Sequence, residues 1–99
     1  MLTSKQRAQL RRLANPLAVT LHIGKEGVTE GVTSQLEVLL ENHELVKGKV
    51  LESAFATPKE VAQALCEQTG ADGVQVIGTK FVLYRPSSDP DKRKIVLEN

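Results

Sequence analysis

The apolar residues of this chain switch repeatedly between helical spacing and strict alternation, and no other feature limits the fold as much. Leu10, Leu13 and Ala14 recur at helical spacing, whereas Val19, Leu21 and Ile23 alternate with Thr20 and His22. Thr3 and Gln6 have the form of a capping box, which predicts a helix from about Ser4 to Ala14, ended by Asn15-Pro16. A strand is expected from Leu17 or Ala18 to Ile23. After Gly24-Lys25-Glu26-Gly27, a second helix is predicted from about Thr29 to His43, with Val32, Leu36, Leu39, Leu40 and His43 on its apolar side.

Leu45 to Leu51 alternates again, Val46 and Val50 against Lys47 and Lys49. Thr57-Pro58-Lys59-Glu60 is a helix start, and Thr69-Gly70 a helix stop. Val74 to Ile77, the Gly78-Thr79 turn and Phe81 to Tyr84 form a β-hairpin pattern. The order α-β-α-β-α-β-β predicts a single-domain α/β sandwich of three helices on a four-stranded mixed sheet. Its expected core is Leu13, Val19, Leu21, Leu36, Leu39, Val46, Val50, Val61, Leu65, Val76 and Val82. The domain is expected over 1–86. A solvated, turn-rich tail over 87–99 follows, with a short edge strand at 94–98.

Ninety-nine residues suffice for one core and not two. The lone Cys66 excludes an internal disulfide and suits a reducing cytoplasm. No apolar run approaches the ~20 residues of a membrane helix, and the N-terminus lacks the apolar stretch of a signal peptide. A cytoplasmic location and no membrane partner are the expectation. Phe55, Phe81 and Tyr84 are the whole aromatic set, which disfavours a platform on which many bases stack.

The formal net charge of +1 conceals a segregation along the chain. Residues 1–25 contain Lys5, Arg7, Arg11, Arg12 and Lys25 and no acid; residues 26–44 contain Glu26, Glu30, Glu37, Glu41 and Glu44 and no Lys or Arg. Helical spacing puts Glu30, Glu37, Glu41 and Glu44 opposite the apolar side, as a solvated stripe. The basic arm leads into the G-x-x-G loop between a strand and a helix, where backbone amides converge and a phosphate is favoured. The loop residues alone leave two readings open, a phosphate contact and a plain strand-to-helix turn; Glu26 counts slightly against contact. Lys47, Lys49, Lys80 and Arg85 extend the basic surface if strand order brings them to one side.

Catalytic readings fare poorly. His22 on a strand and His43 on an apolar helix side read as packed histidines. Cys66 reads as a small buried hydrophobe. No Cys, His, Asp or Glu set has metal-ligand spacing, and the serines lack a nucleophile motif. Neither an enzyme nor a cofactor or metal is expected.

Several segments in series carry a resemblance: Leu2-Thr3-Ser4-Lys5-Gln6-Arg7, Ile23 to Gly31, Asn42-His43-Glu44-Leu45-Val46-Lys47, Glu67-Gln68-Thr69-Gly70, Val74 to Gly78 and Leu83-Tyr84-Arg85-Pro86. Together they resemble the CRM domain (chloroplast RNA splicing and ribosome maturation) in its stand-alone bacterial, YhbY-like form, over roughly residues 2 to 86. The resemblance implies a fold similar to the C-terminal domain of translation initiation factor three. It also implies an RNA-binding role in maturation of the large ribosomal subunit. Carried over, Gly24, Lys25 and Gly27 would clamp RNA backbone, with basic residues of the first helix and sheet on neighbouring phosphates. Gly48 departs from the family pattern, in which a larger residue is expected, and Glu26 adds a charge to the loop.

The expected function is therefore non-catalytic binding of ribosomal RNA on a pre-large-subunit particle, with no small-molecule substrate. The expected contacts are Gly24, Lys25, Glu26, Gly27, Lys5, Arg7, Arg11, Arg12, Lys47, Lys49 and Arg85. The alternative is a protein-interaction module that docks a ribosomal protein or assembly factor through the acidic stripe or a sheet edge. A phosphate-binding enzyme with His22 as base is a third, weaker reading.

Overall fold

Helix α1 (Ser4–Ala14) starts where Thr3 and Gln6 cap each other: the Thr3 hydroxyl accepts the Gln6 N–H at 3.1 Å, and the Gln6 side chain accepts the Thr3 N–H at 3.0 Å. The computed structural model describes residues 2–99; Met1, the first residue of the expected domain, lies outside them. Strand β1 (Leu21–Ile23) is shorter than expected: residues 17–20 join no strand, and the Leu17 N–H turns back to the Ala14 carbonyl at 3.0 Å. Only Thr20 reaches across, its N–H donating to the Lys47 carbonyl at 3.0 Å.

Helix α2 (Glu30–His43) is capped by Thr29, whose hydroxyl accepts the Val32 N–H. Strand β2 (Leu45–Val50) follows, then helix α3 (Pro58–Thr69), which opens on a Thr57–Glu60 capping box and ends at a left-handed Gly70. Strands β3 (Asp72–Ile77) and β4 (Lys80–Tyr84) complete the hairpin. The expected α/β sandwich of three helices and a four-stranded mixed sheet is what forms. Its strand order is β1-β2-β4-β3, with β1 parallel to β2 and the other pairs antiparallel.

The sheet has a core on each face. Against α2 and α3 pack Leu21, Ile23, Val46, Val50, Phe81 and Leu83. Against α1 pack Leu45, Val74, Val82 and Tyr84. Gly48 has a steric reason: a Cβ there would sit 2.2 Å from the Phe81 ring. The aromatic ring supplies the bulk that β2 lacks. Three residues of the expected core are not in it, the first being Val19, half-buried in the unpaired segment before β1. Leu13 is 43% exposed, on a flank of α1 that overlooks a cavity, and Val76 is 45% exposed on edge strand β3, beside the hairpin turn.

The acidic side of α2 is not a solvated stripe either. Glu37 and Glu41 hold Arg85 at 2.8 and 3.3 Å, and the Ser88 hydroxyl and N–H donate to Glu41. Glu44 is 1% exposed and occupies the left-handed position beyond the helix end, at φ 65°. Its carboxylate accepts the backbone N–H groups of Ser87, Lys94 and Ile95 at 2.9, 2.8 and 3.2 Å. Burial works against that charge, but the three amides and nearby Arg93 outweigh it and hold the carboxyl below the usual glutamate range.

Glu44 thereby fastens the C-terminal segment, which is largely exposed and turn-rich as expected but is tied to the fold rather than loose. Ser87 is fully buried, Pro90–Lys92 makes one 3₁₀ turn, and Ile95 and Leu97 pack on the core under α1. Residues 94–98 form no strand, because α1 takes their hydrogen bonds. Gln6 and Gln9 donate to the Glu98 and Val96 carbonyls at 2.9 and 2.8 Å, and Gln9 accepts the Glu98 N–H.

Candidate nucleic-acid interface

Strand alternation decides which cations share a side. In β2, Val46, Gly48 and Val50 face α2 and α3, so Lys47 and Lys49 face the side of α1. In β4, Phe81 and Leu83 face the helical pair, so Lys80 faces α1 as well. Register then lines these residues up: His22 pairs with Lys49, Lys49 with Lys80, and Lys80 with Ile77. One row therefore crosses the four strands with two lysines at its centre and an exposed histidine at its β1 end.

Helix α1 does not cover that row. It lies over the opposite end of the sheet, where Leu45 and Tyr84 are buried. It is pinned at both ends, the Arg7 Nε donating to the Gly73 carbonyl at 3.2 Å and the Lys47 Nζ to the Asn15 carbonyl at 3.4 Å. The C-terminal segment occupies the Gln6 and Gln9 flank of the helix. At helical spacing Arg7 and Arg11 stand on the other flank, toward the open half of the sheet. Arg7, Arg11, Lys47, Lys49, Lys80 and His22 thus border one surface, with no acid in the row.

The glycine loop follows Ile23 at the open end of this surface. Its geometry is more modest than the expectation of converging amides. The Gly27 N–H donates to the Gly24 carbonyl at 3.0 Å, closing a turn, and Gly27 takes φ 68°, which favours glycine. Helix α2 begins three residues later, and Thr29 takes its Val32 amide, so the loop is not itself the helix N-terminus. Lys25 and Glu26 stand exposed at its apex. What the loop adds to the surface is chiefly the Lys25 charge and a backbone free of bulk.

Three expected contacts lie elsewhere. Arg85 is on the far side of the sheet, its guanidinium donating to Glu37, Glu41 and the Thr69 carbonyl, the last at 2.7 Å. Its side chain is 20% exposed. A cation already saturated by two carboxylates has little left for a phosphate. Arg12 and Lys5 project from the outer side of α1, and Arg12 stands 3.6 Å from Glu98. Lys80, absent from the expected contact set, belongs to the row, and His22 is an exposed neighbour of Lys49 rather than a packed histidine. Only strand order reveals both. His43 is likewise exposed rather than packed. Cys66 is half-buried on α3, and burial with nearby Asp72 and Glu67 pushes its thiol above the ordinary cysteine range, which disfavours a reactive thiolate.

Among the described residues, no group of His, Cys, Asp and Glu clusters as metal ligands would, and no helix is long and apolar enough to cross a membrane. The surface is suited to attract a polyanion by charge.

Comparison with known proteins agrees with the fold and the segment matches. A family model for the CRS1/YhbY (CRM) domain matches residues 2–85. A Haemophilus influenzae protein named "RNA-binding protein" is 40% identical over 88 residues, covering 89% of each chain. A Bacillus subtilis protein named "Probable RNA-binding protein" is 37% identical over 89 residues, 90% of this chain and 93% of that one. The solution structure of a hypothetical protein from Staphylococcus aureus superposes with a TM-score of 0.78 at 41% identity, covering 97% of this chain and all of the other. Family match, relatives and architecture agree: the chain belongs to the CRS1/YhbY (CRM) domain family.

Proposed function

We propose that this protein binds RNA through the open half of its sheet, gripping backbone phosphates without catalysing a reaction on them. The observation that carries this reading is the acid-free row His22–Lys49–Lys80, flanked by Arg7, Arg11 and Lys47 and ending at the loop of Lys25, where Glu26 is the neighbouring acid. Phosphate contacts of this kind supply affinity and position, while recognition comes from the shape on which several phosphates meet several cations. The names of the relatives support RNA as the ligand. Ribosomal RNA, assembly of the large subunit and a cytoplasmic location are parts of the proposal that rest on the family resemblance. The G-x-x-G loop enters as one edge of the site, through Lys25 and the close approach that Gly24 and Gly27 permit.

The alternative of an acidic docking stripe finds no support, because Glu37, Glu41 and Glu44 are spent on Arg85, Ser88 and the C-terminal backbone.

Salt titration of binding to a fragment of large-subunit ribosomal RNA tests the reading. About five single-strand phosphate contacts give a log–log slope of about −3.5, hence roughly a 100-fold loss between 50 and 200 mM salt. Replacing Lys49→Glu and Lys80→Glu together removes about two of those contacts from the slope. A slope near zero, or one unchanged by the double variant, would refute the assignment.

A further inference from the structure

A cavity of about 390 Å³ opens at the edge of the basic surface, where the end of α1, the unpaired segment 17–20, β2 and the C-terminal segment meet. Its walls are apolar, formed by Leu13, Leu17, Leu45 and Ile95. Leu13 and Leu17 are 43% and 38% exposed, so the chain leaves apolar surface open here instead of closing over it. The polar lining is sparse and of one kind. Lys47, whose Nζ also donates to the Asn15 carbonyl, and Lys94 are its two cationic residues, and Thr20 and His43 are residues able to donate and accept hydrogen bonds. No acid lines it.

This combination is selective. Flat apolar walls suit an aromatic ring, the lysines suit a phosphate attached to that ring, and Thr20 with His43 can meet a polar ring edge. The volume lies in the range of small-ligand sites. Lys47 belongs both to the cavity and to the open sheet face, which makes the cavity continuous with the proposed RNA path. An apolar side chain from a protein partner would fill the walls but make no use of the two lysines in the lining.

We infer that this cavity receives one unstacked nucleotide of the bound RNA, its base between the leucines and its phosphate against Lys47 and Lys94. The inference rests on the RNA reading above and deepens it. The open face holds the strand by charge, while the cavity requires at least one base outside a helix. The protein would then prefer RNA with a bulge or loop over uninterrupted duplex.

Ala18→Trp tests it, since Ala18 lines the cavity, is exposed and lies outside any helix or strand. Affinity is measured for a hairpin carrying a single-nucleotide bulge and for the same hairpin without it. The wild-type protein should favour the bulged RNA about tenfold, and Ala18→Trp should remove that preference while keeping the affinity for the plain hairpin. Methyl NMR with the bulged RNA reads the site directly, through contacts between base protons and the methyl groups of Leu13, Leu17 and Ile95. Equal wild-type affinity for both RNAs, or a preference that survives in Ala18→Trp, would overturn the inference while leaving the RNA reading intact. The occupant would then be sought among protein side chains. Failure to bind either RNA would overturn both.

Discussion

The two faces of the sheet carry similar cations and put them to opposite uses. On the helical face, Arg85 is enclosed by Glu37, Glu41 and the Thr69 carbonyl, with Ser88 completing the Glu41 shell. On the other face, Lys49 and Lys80 stand opposite each other in register with His22 alongside and no carboxylate in the row. Like charges directly across a strand pair are mildly unfavourable for folding. The helical face spends its acids on internal joints; the open face keeps its cations at a small cost in stability. A net charge of +1 is therefore a poor guide to this molecule, since the acids that balance the count lie outside the row of the open face, Glu44 alone among them being buried.

Variants on the folded core should show the largest effects and leave the open face out of the matter. Gly48→Val drives two methyl groups into the Phe81 ring and should cost about 3 kcal/mol or more, read as a lowered urea midpoint. Next is Glu44→Ala, which strands the amides of Ser87, Lys94 and Ile95 and should cost about 2–4 kcal/mol. The Glu44 carboxyl titrates lower when folded than when unfolded. Its stabilisation is complete above the unfolded value of ~4.3 and is lost as pH falls through the folded one. The wild-type C-terminal segment should therefore loosen in acid below that window, and Glu44→Gln should flatten this dependence, as hydrogen exchange of the Lys94 and Ile95 amides would show.

Lys49→Glu with Lys80→Glu inverts the pattern. RNA affinity should fall roughly 30-fold, about 2 kcal/mol, with thermal unfolding changed by less than about 0.5 kcal/mol. The smallest effect belongs to Arg85→Gln. Its ion pairs are partly solvated, so the loss should be about 1 kcal/mol of stability, with RNA affinity unchanged. Should Arg85→Gln weaken RNA binding as much as the lysine pair, the contrast between the faces would fail.

These outcomes also mark what could be read from the chain before its structure. Helices α1 and α3 were legible because Thr3–Gln6 and Thr57–Glu60 are contacts across three residues, complete within the segment they start. The strand pattern was legible from alternation in β2 and β4. Glu44 was not, since its burial depends on Ser87, Lys94 and Ile95, more than forty residues away. The shape of the site was legible only in part. Lys47 and Lys49 announce a shared face, but Lys80 joins them only because β4 inserts beside β2, and Arg85 leaves them only because α2 supplies two carboxylates. Charge in a sequence shows what must be paired or solvated; the fold decides which.

The most direct test is lysine acetylation followed by mass spectrometry, with and without a bound fragment of large-subunit ribosomal RNA. Lys25, Lys49 and Lys80 should be protected by RNA, while Lys59 on α3 and Lys92 in the C-terminal segment should react at unchanged rates. Protection spread evenly over all five, or concentrated on Lys59 and Lys92, would contradict an RNA site on the open half of the sheet.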